Sequence, residues 1–425
     1  MHRWAEGRRR WMAVVGVCLL AACRDVTAPG VPPEPPMIHP DSTPAPVVFD
    51  TAAARAAWAF VERNTTASTG LANAIYPFRY VTAWDLGSLV AATYSAHALG
   101  LVADSAYDAR IRTILGTLAA VPLYQGVALN KSYDSHTGGM VDRGRQPSAR
   151  GYGWSATDMG RLLIWLRVLA VREPQYAALA ARIVDRIDMT RVIRGGTLQG
   201  EDLEPVYGGV RDYAETGLGY EQYGAAGYAL WGHRATASLD ATAHATPAVV
   251  EGVTVSVDAR GDARITSEPY MLLGLETGFY SAALASQARA VLAAQAARYA
   301  RTGIVTMVSE DALPDAPYYF YYYSLYHNGQ SFVVEGPDTG TYLEQPRWVS
   351  TKAAYAWHAL FPSAYTRTAL ALVQRAAVPG SGWGAGVYEA TGMAAGEPSL
   401  NTAAVVLESI LYQVRGVPML QQAID

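Results

Sequence analysis

Five acidic positions recur along this chain at intervals of 40 to 75 residues, each at the start of an apolar segment or just after one. Most have an aromatic neighbour: Trp84 beside Asp85, Trp154 before Asp158, Tyr220 beside Glu221, Tyr270 just after Glu268, and finally the adjacent pair Glu310 and Asp311. The layout describes a helical toroid with an acidic, aromatic-lined cleft.

Apolar periodicity predicts eleven helices, over 50–63, 85–99, 104–120, 155–171, 174–190, 219–234, 269–278, 281–301, 350–360, 363–376 and 400–413. With one short helix still to be found, that number suits six helical hairpins. The run Leu86 to Ala92 is apolar on most faces and suits a helix buried inside a double ring, whereas the charged stretch Tyr107 to Arg112 suits the outer layer. Between residues 245 and 266 the pattern changes to Val-rich alternation, which predicts a short strand excursion at the rim. The expected fold class is therefore all-α, an (α/α)6 toroid or six-hairpin double ring with a short β excursion. No Pro- or Gly-rich linker interrupts residues 48–425, so a single domain is expected there.

The first 22 residues read as an address. Arg3, Arg8, Arg9 and Arg10 precede an apolar run from Trp11 to Ala22 that is too short to span a bilayer. The run ends in Leu20, Ala21, Ala22 and Cys23, which resembles a bacterial lipoprotein processing site with lipid on Cys23; an ordinary signal peptide is the alternative. Residues 24–47 contain eight prolines and read as an extended tether. Arg24 after the cysteine points to the outer membrane, with the domain facing the periplasm. The sequence has no cysteine beyond Cys23, which rules out a disulfide in the mature domain and metal–thiolate chemistry. Without residues 1–22 the formal charge is −7, so the chain lacks a basic nucleic-acid footprint. The histidines show no paired metal spacing, and there is no P-loop, dinucleotide glycine pattern or nucleophile elbow. Acids at 201, 202 and 204 could bridge calcium, but not with EF-hand spacing; no metal and no required cofactor are expected.

An acidic, aromatic cleft is suited to sugars, and glycoside hydrolysis needs two carboxyl groups flanking the scissile bond. Glu221 ranks first as general acid: it lies between Tyr220 and Tyr223, where poor hydration would raise its pKa. A helix-capping role is the alternative, and the same choice applies to Glu268 before Pro269. Of Glu310 and Asp311, one should reach the cleft if the backbone is extended after the strand-like run Ile304 to Val308. Asp85 and Asp158 are candidates to hold sugar hydroxyls or to cap their helices, and Asp158 could pair with Arg161. Glu276 and Glu408, within helix bodies, read as structural. The string Tyr318 to Tyr323, including Tyr319 and Tyr321, reads either as a sugar platform or as packed tyrosines with bonded hydroxyls. Trp84, Trp154, Tyr220, Tyr270, Trp383 and Glu389 complete the expected sugar contacts.

The segments around Trp84 to Ser88, Gly153 to Leu166, Leu218 to Gly232, Ile265 to Tyr270, Val308 to Asp311, Gly382 to Glu389 and Leu400 to Glu408 resemble the bacterial domain-of-unknown-function family 3131. Ala403 departs from the pattern, where a second asparagine is expected. The resemblance implies an (α/α)6 toroid related to glucoamylase-like glycoside hydrolases, many acting on bacterial β-glucans. The expected protein is a monomeric, membrane-tethered lipoprotein that cleaves or rearranges a glucan. Glu221 would act as acid, with Glu268 or Glu310 as its partner. A non-catalytic polysaccharide-binding or envelope-scaffold lipoprotein is the alternative.

Overall fold

The computed structural model describes residues 50–203, 209–261, 263–336, 341–421 and 424. The expected signal peptide, Cys23, the tether and Glu204 lie outside the described residues. All eleven expected helices are present: α1 (Thr51–Asn64), α2 (Ala83–Ala98), α3 (Asp104–Leu118), α4 (Ala156–Arg172), α5 (Ala177–Val184), α6 (Tyr220–Ala229), α7 (Glu268–Leu272), α8 (Ala282–Thr302), α9 (Thr351–Leu360), α10 (Ala364–Val373) and α11 (Leu400–Arg415). A wide π turn, Leu273–Thr277, extends α7.

Six of these helices touch in a cycle: α2 on α4, α4 on α6, α6 on α7, α7 on α9, α9 on α11, and α11 back on α2. They are the apolar ones, and along α2 and α11 nearly every side chain up to the last turn is buried. A second set packs behind them, with α1 on α11 and α2, α3 on α2, α5 on α4, α8 on α7 and α10 on α9. The single turn Thr236–Leu239 packs on α6. Like the turn Met189–Val192 at the end of the expected 174–190 segment, it escapes periodicity because four residues give no 3.6-residue period to read.

Close approach within the cycle depends on glycine. A Cβ on Gly160 of α4 would collide with the backbone of Gly224 in α6, and one on Gly227 would strike the Gly160 carbonyl. The two helices meet backbone to backbone there.

The chain carries more sheet than the single excursion expected. The Val-rich hairpin is present as Ala245–Val250 paired with Val253–Asp258. A four-stranded antiparallel sheet also runs in the order Glu310–Asp311, Tyr321–His327, Gln330–Glu335, Tyr342–Leu343. Ile304 to Val308, expected to be strand-like, is irregular, and pairing begins only at Glu310. The tyrosine string enters a strand only at Tyr321, after a turn over Tyr318 to Phe320, and from there Tyr321, Tyr323 and Leu325 are buried at every second residue, the period of a pleated strand. Short strands also lead directly into inner helices: Tyr80–Thr82 into α2, Gly153–Ser155 into α4 and Trp348–Ser350 into α9.

Candidate active site

Those strand-to-helix junctions set the acids. Thr82 Oγ1 accepts the amide of Asp85 at 3.1 Å and donates to Asp85 Oδ2 at 2.6 Å. Ser155 Oγ likewise accepts the amide of Asp158 at 3.0 Å. Capping by Thr82 and Ser155 therefore fixes both acids in the first turns of α2 and α4. Glu268 opens α7.

Lys352, in the first turn of α9 and 2% exposed, is the hub of one half of the site. It forms a short ion pair with Glu268 and lies 3.6 Å from Asp311. Glu268 also accepts from Asn401 Nδ2 at 2.6 Å and from Ser309 Oγ at 3.4 Å. Trp348 Nε1 donates to Asp311 Oδ2 at 2.8 Å. Burial works against the Lys352 charge, but Asp311, Glu268 and Glu310 outweigh it and hold the ammonium above its ordinary range. Burial pushes Glu310 up to about 7 against the pull of Lys352, and the charge of Asp311 adds to the push. Asp311 is pushed up to about 6 by burial, again opposed by Lys352. The adjacent acids thus divide: Asp311 is tied to Trp348 and Lys352, while Glu310 pairs across the sheet with Tyr322.

The other half centres on Asp158 and Glu215. Burial pushes Asp158 up to about 6, with Lys131 opposing and Asp85 adding. Burial and the Asp158 charge push Glu215 up to about 7, while the Thr157 amide, donating to Glu215 Oε2, pulls the other way. Lys131 Nζ is paired with Asp202 and donates to the Tyr213 hydroxyl at 3.0 Å. Asp85, raised by burial, feels Arg161 and Lys352. Tyr322 joins the halves: its hydroxyl, raised chiefly by burial, feels the charges of Glu310, Asp158 and Glu268.

The structure therefore brings together Asp85, Asp158, Glu268, Glu310 and Asp311. It adds Tyr322 from the tyrosine string, and Lys131, Glu215, Lys352 and Asn401, none of which was singled out as a candidate. A signal for two of these was present: the chain has only two lysines, against 31 arginines, and both lie here.

Glu221 stands in a different group. Its Oε2 accepts from Arg260 at 2.7 Å and its Oε1 from Ser238 at 2.7 Å, and Arg260 is paired as well with Asp258. It faces a cation rather than the apolar setting expected of it. Glu389 forms a bidentate pair with Arg298, both contacts at 2.9 Å, and accepts from Tyr323. Trp383 is buried, with its Nε1 donating to the Ala53 carbonyl, and Tyr321 is buried with its hydroxyl on the Asp315 carbonyl. Trp154 and Tyr270 are buried as well, and Tyr319 is 59% exposed. Trp84 and Tyr220 are half-buried, with ring centres 6.0 Å apart, edge to face. Trp84 Nε1 reaches Asn401 Oδ1 at 3.3 Å, so one amide ties the aromatic pair to Glu268.

Behind the site, Arg161 does not pair with Asp158. It lies fully buried between Glu276 at 3.0 Å and Glu408 at 2.7 Å. Trp165 and Tyr223 also donate to Glu276. Burial keeps Glu408 well above the carboxylate range, with Glu276 adding to the push. Glu201 is bonded to Arg191 and Asp202 to Lys131, and among the described residues no group of acids, histidines or cysteines is placed to hold a metal.

Several solved structures share this fold. A glucoamylase-like protein from Bacteroides caccae superposes with a TM-score of 0.62 at 15% identity, covering 85% of this chain and 92% of its own. An endo-β-1,2-glucanase from Chitinophaga pinensis, in complex with sophorotriose and glucose, gives 0.60 at 12% identity, covering 85% and 91%. An endo-β-1,2-glucanase from Talaromyces funiculosus, in complex with sophorose, gives 0.54 at 13% identity, covering 83% and 78%. No curated protein matches the sequence. Residues 52–416 match the family described as "Protein of unknown function (DUF3131)", and the chain belongs to that family.

Proposed function

We propose that the cyclic arrangement of helices is an (α/α)6 toroid and that the protein is a glycoside hydrolase acting on a glucan, with a β-glucan favoured. The observation that supports this most directly is that Glu310 and Asp158, each raised above its ordinary range chiefly by burial, both lie close enough for their charges to act on the Tyr322 hydroxyl. Glu310 is buried and Asp158 half-buried, and they are pushed up to about 7 and about 6. Near neutrality the first keeps its proton about half the time and the second is mostly ionised, the division of labour that acid–base hydrolysis requires.

In this reading the Glu310 carboxyl donates its proton to the glycosidic oxygen as the bond to the anomeric carbon breaks. Asp158 takes a proton from the water whose oxygen bonds to that carbon. Glu268, held by Lys352 and Asn401, positions sugar hydroxyls, and Trp84 with Tyr220 offers an aromatic face. Glu221 supports the α6 end through Arg260. The β-glucan preference takes its support from two similarly folded β-1,2-glucanases. A lipid on Cys23 would tether the enzyme to the outer membrane facing the periplasm, and Cys23→Ser should move it from the membrane to the soluble fraction.

The test is a product screen on β-1,2-, β-1,3-, β-1,4-, β-1,6- and α-linked glucans, with Glu310→Gln, Asp158→Asn and Glu221→Gln beside the parent. Oligosaccharides released by the parent and by Glu221→Gln, and lost in the other two, bear out the assignment. If no glucan is cleaved and all four proteins bind glucan equally, the protein is a binding module.

A further inference from the structure

The junctions that deliver Asp85 and Asp158 carry cations on their outward side, although the chain as a whole is acidic. Tyr80–Thr82, which leads to Asp85, pairs with Ser132–Asp134. Gly153–Ser155, which leads to Asp158, pairs with residues 200–202, with Gly153 opposite Asp202. Beside both strands lies an exposed turn that carries Arg143 and Arg145.

The Arg143 guanidinium is 5.9 Å from the Tyr152 ring centre and reaches Asp202 at 3.3 Å, a carboxylate already bonded to Lys131. Half of its side chain stays exposed. The Arg145 guanidinium lies 3.4 Å over the ring of Tyr80. Stacking occupies the face of a guanidinium and leaves its planar fork of N–H donors directed sideways, the geometry that binds an oxyanion through two parallel bonds. The turn's own acid, Asp142, is turned to the amide of Gln146 at 2.9 Å. Phe78, 57% exposed, lies 6.4 Å from Tyr80 and extends the aromatic surface outward. Tyr152 connects this entrance to the acids: its hydroxyl, 2.7 Å from Ser132 Oγ, feels Asp158 together with Arg145 and Arg143.

We infer that this entrance is a subsite for an anionic group on the sugar chain. Phe78 and Tyr80 take a pyranose face while Arg143 and Arg145 take a carboxylate or phosphoryl oxyanion. The substrate is then an acidic or anionically substituted glucan rather than a neutral one. This rests on reading the neighbouring site as a glucan site.

The experiment measures equilibrium binding of three oligosaccharides with one β-glucan backbone, one neutral, one carboxymethylated and one phosphorylated. The protein is the full chain carrying Asp158→Asn to suppress turnover, with and without Arg143→Gln and Arg145→Gln together. Both arginines are exposed, so the melting temperature should not move. At low salt at least one charged ligand should bind about tenfold more tightly than the neutral one, as charge-assisted bonds allow. The advantage should shrink as salt shortens the screening length and disappear in the double arginine variant, with neutral binding retained. Whichever charged ligand gains names the oxyanion. Equal affinity for all three, or an advantage that survives loss of both arginines, overturns the subsite. Preferential binding of a charged ligand, with none of the three cleaved by the parent chain that keeps Asp158, retains the subsite and removes the hydrolase. Absence of binding to all three overturns both.

Discussion

The two lysines show what a single residue contributes that its commoner relative could not. Lys352 is a compact point charge reached by Glu268 and Asp311, and both carboxylates are buried with it. A guanidinium is larger, planar and directed as a fork, so Arg at this position would push the acids apart. Lys352→Met should cost on the order of 3–5 kcal/mol at neutral pH, because it strands a buried carboxylate without its cation. Chemical denaturation checks this, and the loss should narrow in acid as the carboxyls take up protons.

Glu310 gives the pH dependence. Its ordinary value of 4.5 becomes about 7 in the folded protein, so the native state binds this proton more tightly than the unfolded chain does. Its contribution to stability is complete below pH 4.5 and is lost as pH rises through 7, amounting to about 3 kcal/mol. Glu310→Gln should therefore melt higher than the parent at pH 8 and near it at pH 4, while losing activity by about 10² to 10⁴. The parent's kcat/KM should follow a narrow bell, rising as Asp158 ionises near 6 and falling as Glu310 loses its proton near 7. Asp85, Asp158, Glu268, Glu310 and Asp311 were legible in the sequence because acids at the heads of buried segments need a reason to be there. Glu221 looked the same. What set it apart was Arg260, 39 residues away across the Val-rich hairpin, and no local pattern reports such a partner.

At the scale of the elements, the inner helices were legible and their contacts were not. Apolar faces gave α2, α4 and α11 to within about two residues, and α6 at its start though it ends five residues early, whereas the meeting of α4 with α6 depends on which glycines face each other. Gly227→Ala should force the two backbones apart and destabilise the fold by about 1–3 kcal/mol. An alanine at Gly232, where an added Cβ meets nothing, controls for helix packing, although its positive φ brings a local strain of its own. The buried Arg161 group separates its two acids in the same way. Glu276 takes bonds from Arg161, Trp165 and Tyr223, while Glu408 takes one from Arg161 and is raised well above its ordinary range by burial, with the charge of Glu276 adding to the push. Glu408→Gln should then be nearly neutral in thermal melting. Glu276→Gln should cost several-fold more, because Arg161 loses the carboxylate that balances its charge.

For the whole molecule, the closing contact joins the two ends of the described chain. α11, the last inner helix, packs on α1, α2 and α9, and so closes the gap between α9 and the first inner helix α2. It also brings Asn401 to Glu268 and Glu408 to Arg161, so the site and the buried charge group both wait for the last helix. No periodicity in the sequence encodes that dependence, since it couples residues more than 100 positions apart. Truncation after Glu397 should remove far more than one helix's share of stability. It bares the apolar faces of α2 and α9 and unpairs Glu268 from its amide. The expected result is a chain without a cooperative melt, cut readily by protease across α2 and α9. Ser399→Ala, which removes only the α11 cap, should cost about 1 kcal/mol and keep a single sharp transition. A truncated chain that still melted sharply, with α2 and α9 protected, would mean that the helices stand as independent hairpins and that closure of the cycle is not what holds the acids together.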